Sequence, residues 1–202
     1  MQKPALLLGF VAGLAWIILA FFPAECAPPT GTSEVFCNRL WTPALAGMLA
    51  GFSALFIDVR SLLSRAATLG FAGLLAGFVL MVAGNLSEYW FLNDLPHEGP
   101  DGWPRSVAWM TLLFGFLLVL IGASVYGIAS LRGAHASRLM GLLFTSLVPL
   151  TLILGAVSQS WVGLSLGGLS VVASALGLRH EGSSGRPQRF ISGAADARHP
   201  PA

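Results

Sequence analysis

The sequence is poor in charge: only 10% of its 202 residues are Asp, Glu, Lys or Arg, against about 25% in a soluble domain. With 55% hydrophobic residues beside that deficit, an ordinary water-soluble globule is excluded. The net charge of +2 is too small and too scattered for the electrostatic footprint of a nucleic-acid binder, and no nucleic acid is expected as a partner. Also missing are a Walker A sequence, paired carboxylates inside an apolar run and an Asp-rich phosphotransferase motif. The four histidines, His97, His135, His180 and His199, all lie outside the apolar runs. That argues against haem held between helices and against an imidazole-dependent intramembrane protease. No cofactor and no metal site are expected.

What the sequence does have is long apolar runs. A hydrocarbon core about 30 Å thick needs roughly 20 apolar residues in a helix. Six stretches approach that, near 5–22, 42–58, 67–87, 107–130, 139–158 and 161–178. In lipid each backbone must satisfy its own hydrogen bonds, so these runs predict helices. The expected fold is all-α, a polytopic integral membrane bundle of about six transmembrane helices in contact with the lipid bilayer. The first run also resembles a signal peptide, with Lys3 before it and Ala24-Glu25-Cys26 after it, but it is longer than the usual apolar region of about 7 to 15 residues. We read it as a span.

Basic residues set the orientation, because positive loops stay cytoplasmic. Lys3, Arg60, Arg65, Arg132, Arg138, Arg179, Arg186, Arg189 and Arg198 fall on one side of the six spans. The opposite loops hold only Arg39 and Arg105, together with Glu25, Glu34, Glu88, Asp94, Glu98 and Asp101. Both termini are therefore expected in the cytoplasm, with the chain in a plasma (cell inner) membrane. Trp41, Trp90, Trp103, Trp109 and Trp161 come at the outer ends of spans, as interfacial anchors do; only Trp16 lies within one. Residues 180–202, rich in Gly, Ser, Pro and Arg, read as a disordered cytoplasmic tail.

Both cysteines, Cys26 and Cys37, fall in the first outer loop, where an oxidising compartment predicts a disulfide closing the segment with Pro28, Pro29 and Gly31. Ten intervening residues do not resemble a redox-active Cys-x-x-Cys pair. Small-xxx-small spacings at Gly9 and Gly13, Gly47 and Gly51, Gly73 and Gly77, and Gly163 and Gly167 predict close helix packing. They serve the bundle itself, or a homo-oligomer or another membrane-protein partner. Pro149 lacks an N–H, frees the carbonyl of Thr145 and predicts a bend, with Thr145, Ser146 and Thr151 available to absorb the freed group.

Asn85, Glu88, Tyr89 and Trp90 form the densest polar-aromatic cluster, at the outer end of the third span, and are the candidate ligand, ion or partner site. Glu88 either accepts a proton or cation, held by Asn85 or Tyr89, or reaches interfacial water while Tyr89 and Trp90 anchor the helix. In the next loop Asp94, His97, Glu98 and Asp101 bring carboxylates and an imidazole together, but the surrounding Pro and Gly residues fix no geometry for a cation. Gly163-Leu164-Ser165-Leu166-Gly167 spells a nucleophile elbow, yet an elbow needs a strand-to-helix turn and a base, and this run reads as continuous helix. No catalytic residue is nominated. The leading expectation is a non-enzymatic subunit, accessory or scaffold protein of a membrane complex; the alternative is a small transporter or channel for a neutral or hydrophobic solute.

The orientation has a direct test. After reduction of intact cells, a membrane-impermeant maleimide labels both Cys26 and Cys37; protection of both places that loop on the cytoplasmic side.

Overall fold

The computed structural model of the chain describes residues 2–21, 32–96, 99, 101–132, 138–157 and 162–184. Side chains are described for 2–20, 38–96, 99, 101–132, 138–156 and 163–179. Among these the architecture is a helical bundle with no strands: α1 (Gln2–Phe21), α2 (Thr32–Val59), α3 (Arg65–Leu86), α4 (Trp103–Arg132), α5 (Arg138–Thr145), α6 (Leu147–Val157) and α7 (Val162–Ser184). Five stretches are long and apolar enough to cross a membrane, the fifth being α5 and α6 together; Gly163–Arg179 is a shorter apolar helix.

Several boundaries differ from the sequence expectation. Helix α2 begins ten residues before the expected 42, at Thr32, so the backbone of Cys37 is helical and not looped. Cys26 and the side chain of Cys37 lie outside the described residues, and so does the expected disulfide. Helix α7 continues to Ser184, past the expected start of the tail at 180, and residues 185–202 lie outside the described set. Helix α3 starts where Ser64 caps it, its hydroxyl accepting a hydrogen bond from the Ala67 N–H at 3.2 Å.

These helices are apolar all round, so size, more than polarity, decides which face turns inward. On α1, Leu7, Leu8, Val11, Leu14 and Ile18 point outward while Leu6, Gly9, Ala12, Gly13, Trp16 and Ala20 are buried. On α4, Val107, Met110, Phe114, Leu117, Ile121, Val125 and Ile128 form the outer stripe. Against lipid there is no hydrophobic gain in burying leucine, so the inner faces carry small residues that let backbones approach.

The most extensive packing is between α3 and α4. A Cβ built on Gly77 would lie 2.6 Å from the Gly115 carbonyl oxygen; one on Gly84, 2.7 Å from that of Ala108; one on Gly122, 2.6 Å from that of Gly70. Gly70, Gly77 and Gly84 thus recur every seven residues along α3, facing Ala108, Gly115 and Gly122 at the same spacing in antiparallel α4. A seven-residue period gives the left-handed crossing of a coiled coil, here with glycine on the seam.

All eight glycines singled out from sequence face other helices of this chain. Gly9 meets Gly51, Gly13 meets the Gly167 carbonyl, Gly47 meets Ala12, and Gly163 meets Trp16. Gly73 is the loosest, with only Gly122 Cα at 3.7 Å from a built Cβ. These contacts join α1, α2 and α7 into one group beside the α3–α4 pair. Between the groups, Phe52, Phe71, Phe78, Tyr126 and Phe144 pack ring on ring, with centroids 4.7–6.0 Å apart.

Helix α5 passes into α6 at Ser146, three residues before Pro149, which is where the missing N–H breaks the ladder. The hydroxyls expected to absorb the Thr145 carbonyl bond elsewhere: Thr145 donates to the Gly141 carbonyl at 2.8 Å, Ser146 to that of Leu143 at 2.9 Å, and Thr151 pairs with Ser165 at 2.7 Å. The last contact ties α6 to α7, which pack as the antiparallel neighbours their short connection implies.

Backbone approach outweighs interhelical hydrogen bonding in this packing. Ser170 donates to the Gly9 carbonyl at 2.8 Å, and Ser170→Ala is expected to cost about 0.6 kcal/mol. Gly9→Ala drives a Cβ into Gly51 Cα, 2.7 Å away, and is expected to cost about 1–3 kcal/mol. Thermal unfolding in one detergent ranks the two.

Candidate functional site

Of the polar groups singled out from sequence, Asn85 and Trp90 meet through Thr42, while Tyr89 meets Arg39 and Glu88 meets Arg105, three partners the sequence did not reveal. Helix α3 ends in a single π-helical turn, Ser87–Phe91, closed by the Leu92 N–H donating to the Ser87 carbonyl at 3.0 Å. Such turns are frequent at functional sites. Asn85 and Glu88, one turn apart, both point inward and are 0% and 1% exposed.

Asn85 is held from α2. The Thr42 hydroxyl donates to Asn85 Oδ1 at 2.5 Å and accepts from the Trp90 indole N–H at 3.1 Å, a relay that joins α2 to the last turn of α3 and to the π turn. Asn85 Nδ2 is buried with no hydrogen-bond partner among the described residues. Arg39, also on α2, donates from Nε to the Tyr89 carbonyl at 2.8 Å, and its guanidinium lies 5.5 Å from the Trp90 ring centroid. The last carbonyls of a helix have no partner within it, and here a guanidinium from the neighbouring helix takes one of them. Tyr89 therefore enters the cluster through its backbone, and Trp90 through its indole.

Glu88 is buried and faces α4. Its Oε1 stands 3.9 Å from Nε of Arg105, on the first turn of α4, while Arg105 Nη1 donates to the carbonyls of Asn93 at 3.2 Å and Leu95 at 2.9 Å. Arginine at a helix N-terminus and glutamate at a C-terminus both oppose the helix dipoles. Placing the two antiparallel ends together lets each charge offset the other, and one fork ties α3, the following loop and α4. Of the loop residues Asp94, His97, Glu98 and Asp101, His97 and Glu98 lie outside the described set; no group of three or more metal-ligating side chains occurs among the described residues.

Deeper in the bundle lies an apolar pocket of about 260 Å³, lined by Trp16 and Ala20 of α1, Trp41 and Leu45 of α2, Met81 of α3, Trp109, Leu112, Leu113 and Phe116 of α4, and Gly163 and Leu166 of α7. It occupies the gap where the α1–α2–α7 group fails to close on α4. Helical spacing puts it one turn below the polar rim: Met81 is one turn below Asn85, and Trp109 one turn below Arg105. Trp41 and Trp109, expected as interfacial anchors, line this pocket, and the ring centroid of Trp41 is 5.1 Å from that of Trp16.

No family model, curated protein or solved structure matches the chain. The rim and the pocket must therefore be read from their own chemistry.

Sequence inspection missed Arg39, Thr42 and Arg105 because they are distant in the chain from the cluster they complete. One signal was present: in the expected topology Arg39 and Arg105 are the only Lys or Arg residues in the less basic loops, and a cation kept against the positive-inside bias has a local reason to be there.

The relay through Thr42 is testable. Thr42→Val keeps the shape but strands the buried Asn85 Oδ1 and the Trp90 N–H, and a loss of about 1–3 kcal/mol is expected. Trp90→Phe, at a half-exposed ring, costs less. Chemical or thermal unfolding of both variants in the same detergent checks the order.

Proposed function

We propose that the chain is a non-enzymatic integral membrane component, a subunit or accessory protein of a membrane assembly. The observation that supports this reading is how the polar side chains within the bundle are used. Thr151 and Ser165 bond each other across α6 and α7, Ser170 bonds α1, and the rim residues Arg39, Thr42 and Arg105 bond carbonyl or amide groups of neighbouring elements. Polar groups used as helix-to-helix fastenings serve architecture. Ser165, the residue of the elbow-like motif, is buried in the first turn of α7 and bonds Thr151, a hydroxyl that is no general base.

The proposal includes an inner-type cell membrane, cytoplasmic termini and a Cys26–Cys37 disulfide on the outer side. Because the glycine faces are occupied within the chain, a protein neighbour would meet the large-residue outer stripes or the rim. The alternative, a small transporter or channel for a neutral or hydrophobic solute, draws its support from the apolar pocket. The stacked rings of Phe52, Phe71, Phe78, Tyr126 and Phe144 fill the bundle centre and favour a bound solute over a conducted one.

Purification of the tagged chain from its native membrane in mild detergent, with mass spectrometry of what accompanies it, tests the reading. One or more proteins at stoichiometric ratio are expected. A lone chain at every detergent tried contradicts the subunit role and moves the solute carrier to first place.

A further inference from the structure

The pocket carries an inference that goes beyond the proposed role and holds for a subunit and a carrier alike. Its walls are hydrocarbon and indole, yet they contain three hydrogen-bond donors. None of the N–H groups of Trp16, Trp41 and Trp109 has a hydrogen-bond partner among the described residues, whereas the nearby Trp90 N–H, outside the pocket, is satisfied by Thr42. Trp16 is 5% exposed and borders the pocket, and an indole N–H in apolar surroundings ordinarily finds a partner.

A glycine keeps one side of that nitrogen free of a side chain. A Cβ built on Gly163 would lie 2.7 Å from Trp16 Nε1; any larger residue presses on the nitrogen and crowds an acceptor bound to it. The pocket is also open to the side, since Trp109 and Leu113 are 41% and 36% exposed and continue the outward apolar stripe of α4. At that depth in a membrane-spanning bundle, the opening meets lipid tails.

We infer that this pocket binds a long-chain apolar molecule bearing a carbonyl oxygen, which enters sideways from the bilayer, lays its hydrocarbon chain along Leu45, Met81, Leu112 and Phe116, and accepts a hydrogen bond from Trp16 Nε1. A pure hydrocarbon would fill the volume but leave the donors unsatisfied. A charged or strongly hydrated molecule would have to desolvate against walls that return nothing. Two sources share the required chemistry, an ester-linked acyl chain and an isoprenoid quinone, and the experiment separates them.

The full-length chain is placed in vesicles of ether-linked phosphatidylcholine, which carries no carbonyl group. Tryptophan fluorescence is then titrated with three probes: the methyl ester of 9,10-dibromostearic acid, decylubiquinone, and 9,10-dibromooctadecane as the carbonyl-free control. Saturable quenching by the ester identifies the acyl source, saturable quenching by the quinone identifies the other, and saturation by both supports the shared chemistry. In Trp16→Phe, which keeps a ring in place, the same titration read from the remaining tryptophans should show binding about five- to tenfold weaker. Gly163→Ala, which crowds Nε1, should weaken it in the same direction and serves as the decisive variant if Trp16→Phe does not fold. Quenching that is linear for every probe, equal saturation by the dibromoalkane, or affinity unchanged in the folded variants overturns the inference.

Discussion

The structure depends on how closely two helix backbones can approach. In water, helices associate because leucine leaves solvent; in lipid that gain vanishes, and what remains is van der Waals contact between backbones together with a few polar fastenings. Glycine at Gly70, Gly77, Gly84, Gly115 and Gly122 removes the side chains that would hold α3 and α4 apart. Because the spacing is seven residues on both helices, the close contact persists along their length and is not confined to one crossing point. The pair is thereby a rigid base on which the remaining helices are arranged.

Several features follow from that base. With α3 and α4 locked in antiparallel register, the C-terminal end of α3 must lie beside the N-terminal end of α4, and this juxtaposition brings Glu88 against Arg105. Helix α2, packing on α3, contributes Arg39 and Thr42 to the same end. The second group, α1 with α2 and α7, is held by its own glycine contacts and touches the first through the phenylalanine cluster around Phe144. Two groups, each internally tight, cannot close perfectly on each other. The pocket between Trp16, Trp41 and Trp109 lies at the place where they do not.

The class of fold was legible in the sequence because lipid imposes it: runs of about 20 apolar residues leave few alternatives to helices. So was the clustering of Asn85, Glu88, Tyr89 and Trp90, which follows from proximity in the chain. The glycine seam was not, because four-residue spacing pairs Gly73 with Gly77, whereas the contact between α3 and α4 follows a seven-residue period that skips Gly73. The start of α2 was hidden by polar residues such as Asn38 and Arg39, which end an apolar run without ending a helix. Arg105 and Thr42 were out of reach because their roles are set by which helices become neighbours, and hydropathy alone does not order helices in a bundle. The pocket was invisible for the same reason, its lining being drawn from five helices.

The central claim is that the glycine seam, more than any polar contact, sets the bundle. The most direct measurement is the unfolding free energy, in one detergent, of Gly77→Ala and Gly115→Ala beside Gly73→Ala and Gly168→Ala. A Cβ at Gly77 or Gly115 meets backbone atoms within 2.7 Å, whereas one at Gly73 meets its nearest neighbour at 3.7 Å and one at Gly168 meets nothing within 4 Å. The account predicts losses of about 1–3 kcal/mol for the first pair and a neutral or slightly stabilising effect for the second, since alanine is the better helix former by about 1 kcal/mol. Four variants of equal stability would contradict it.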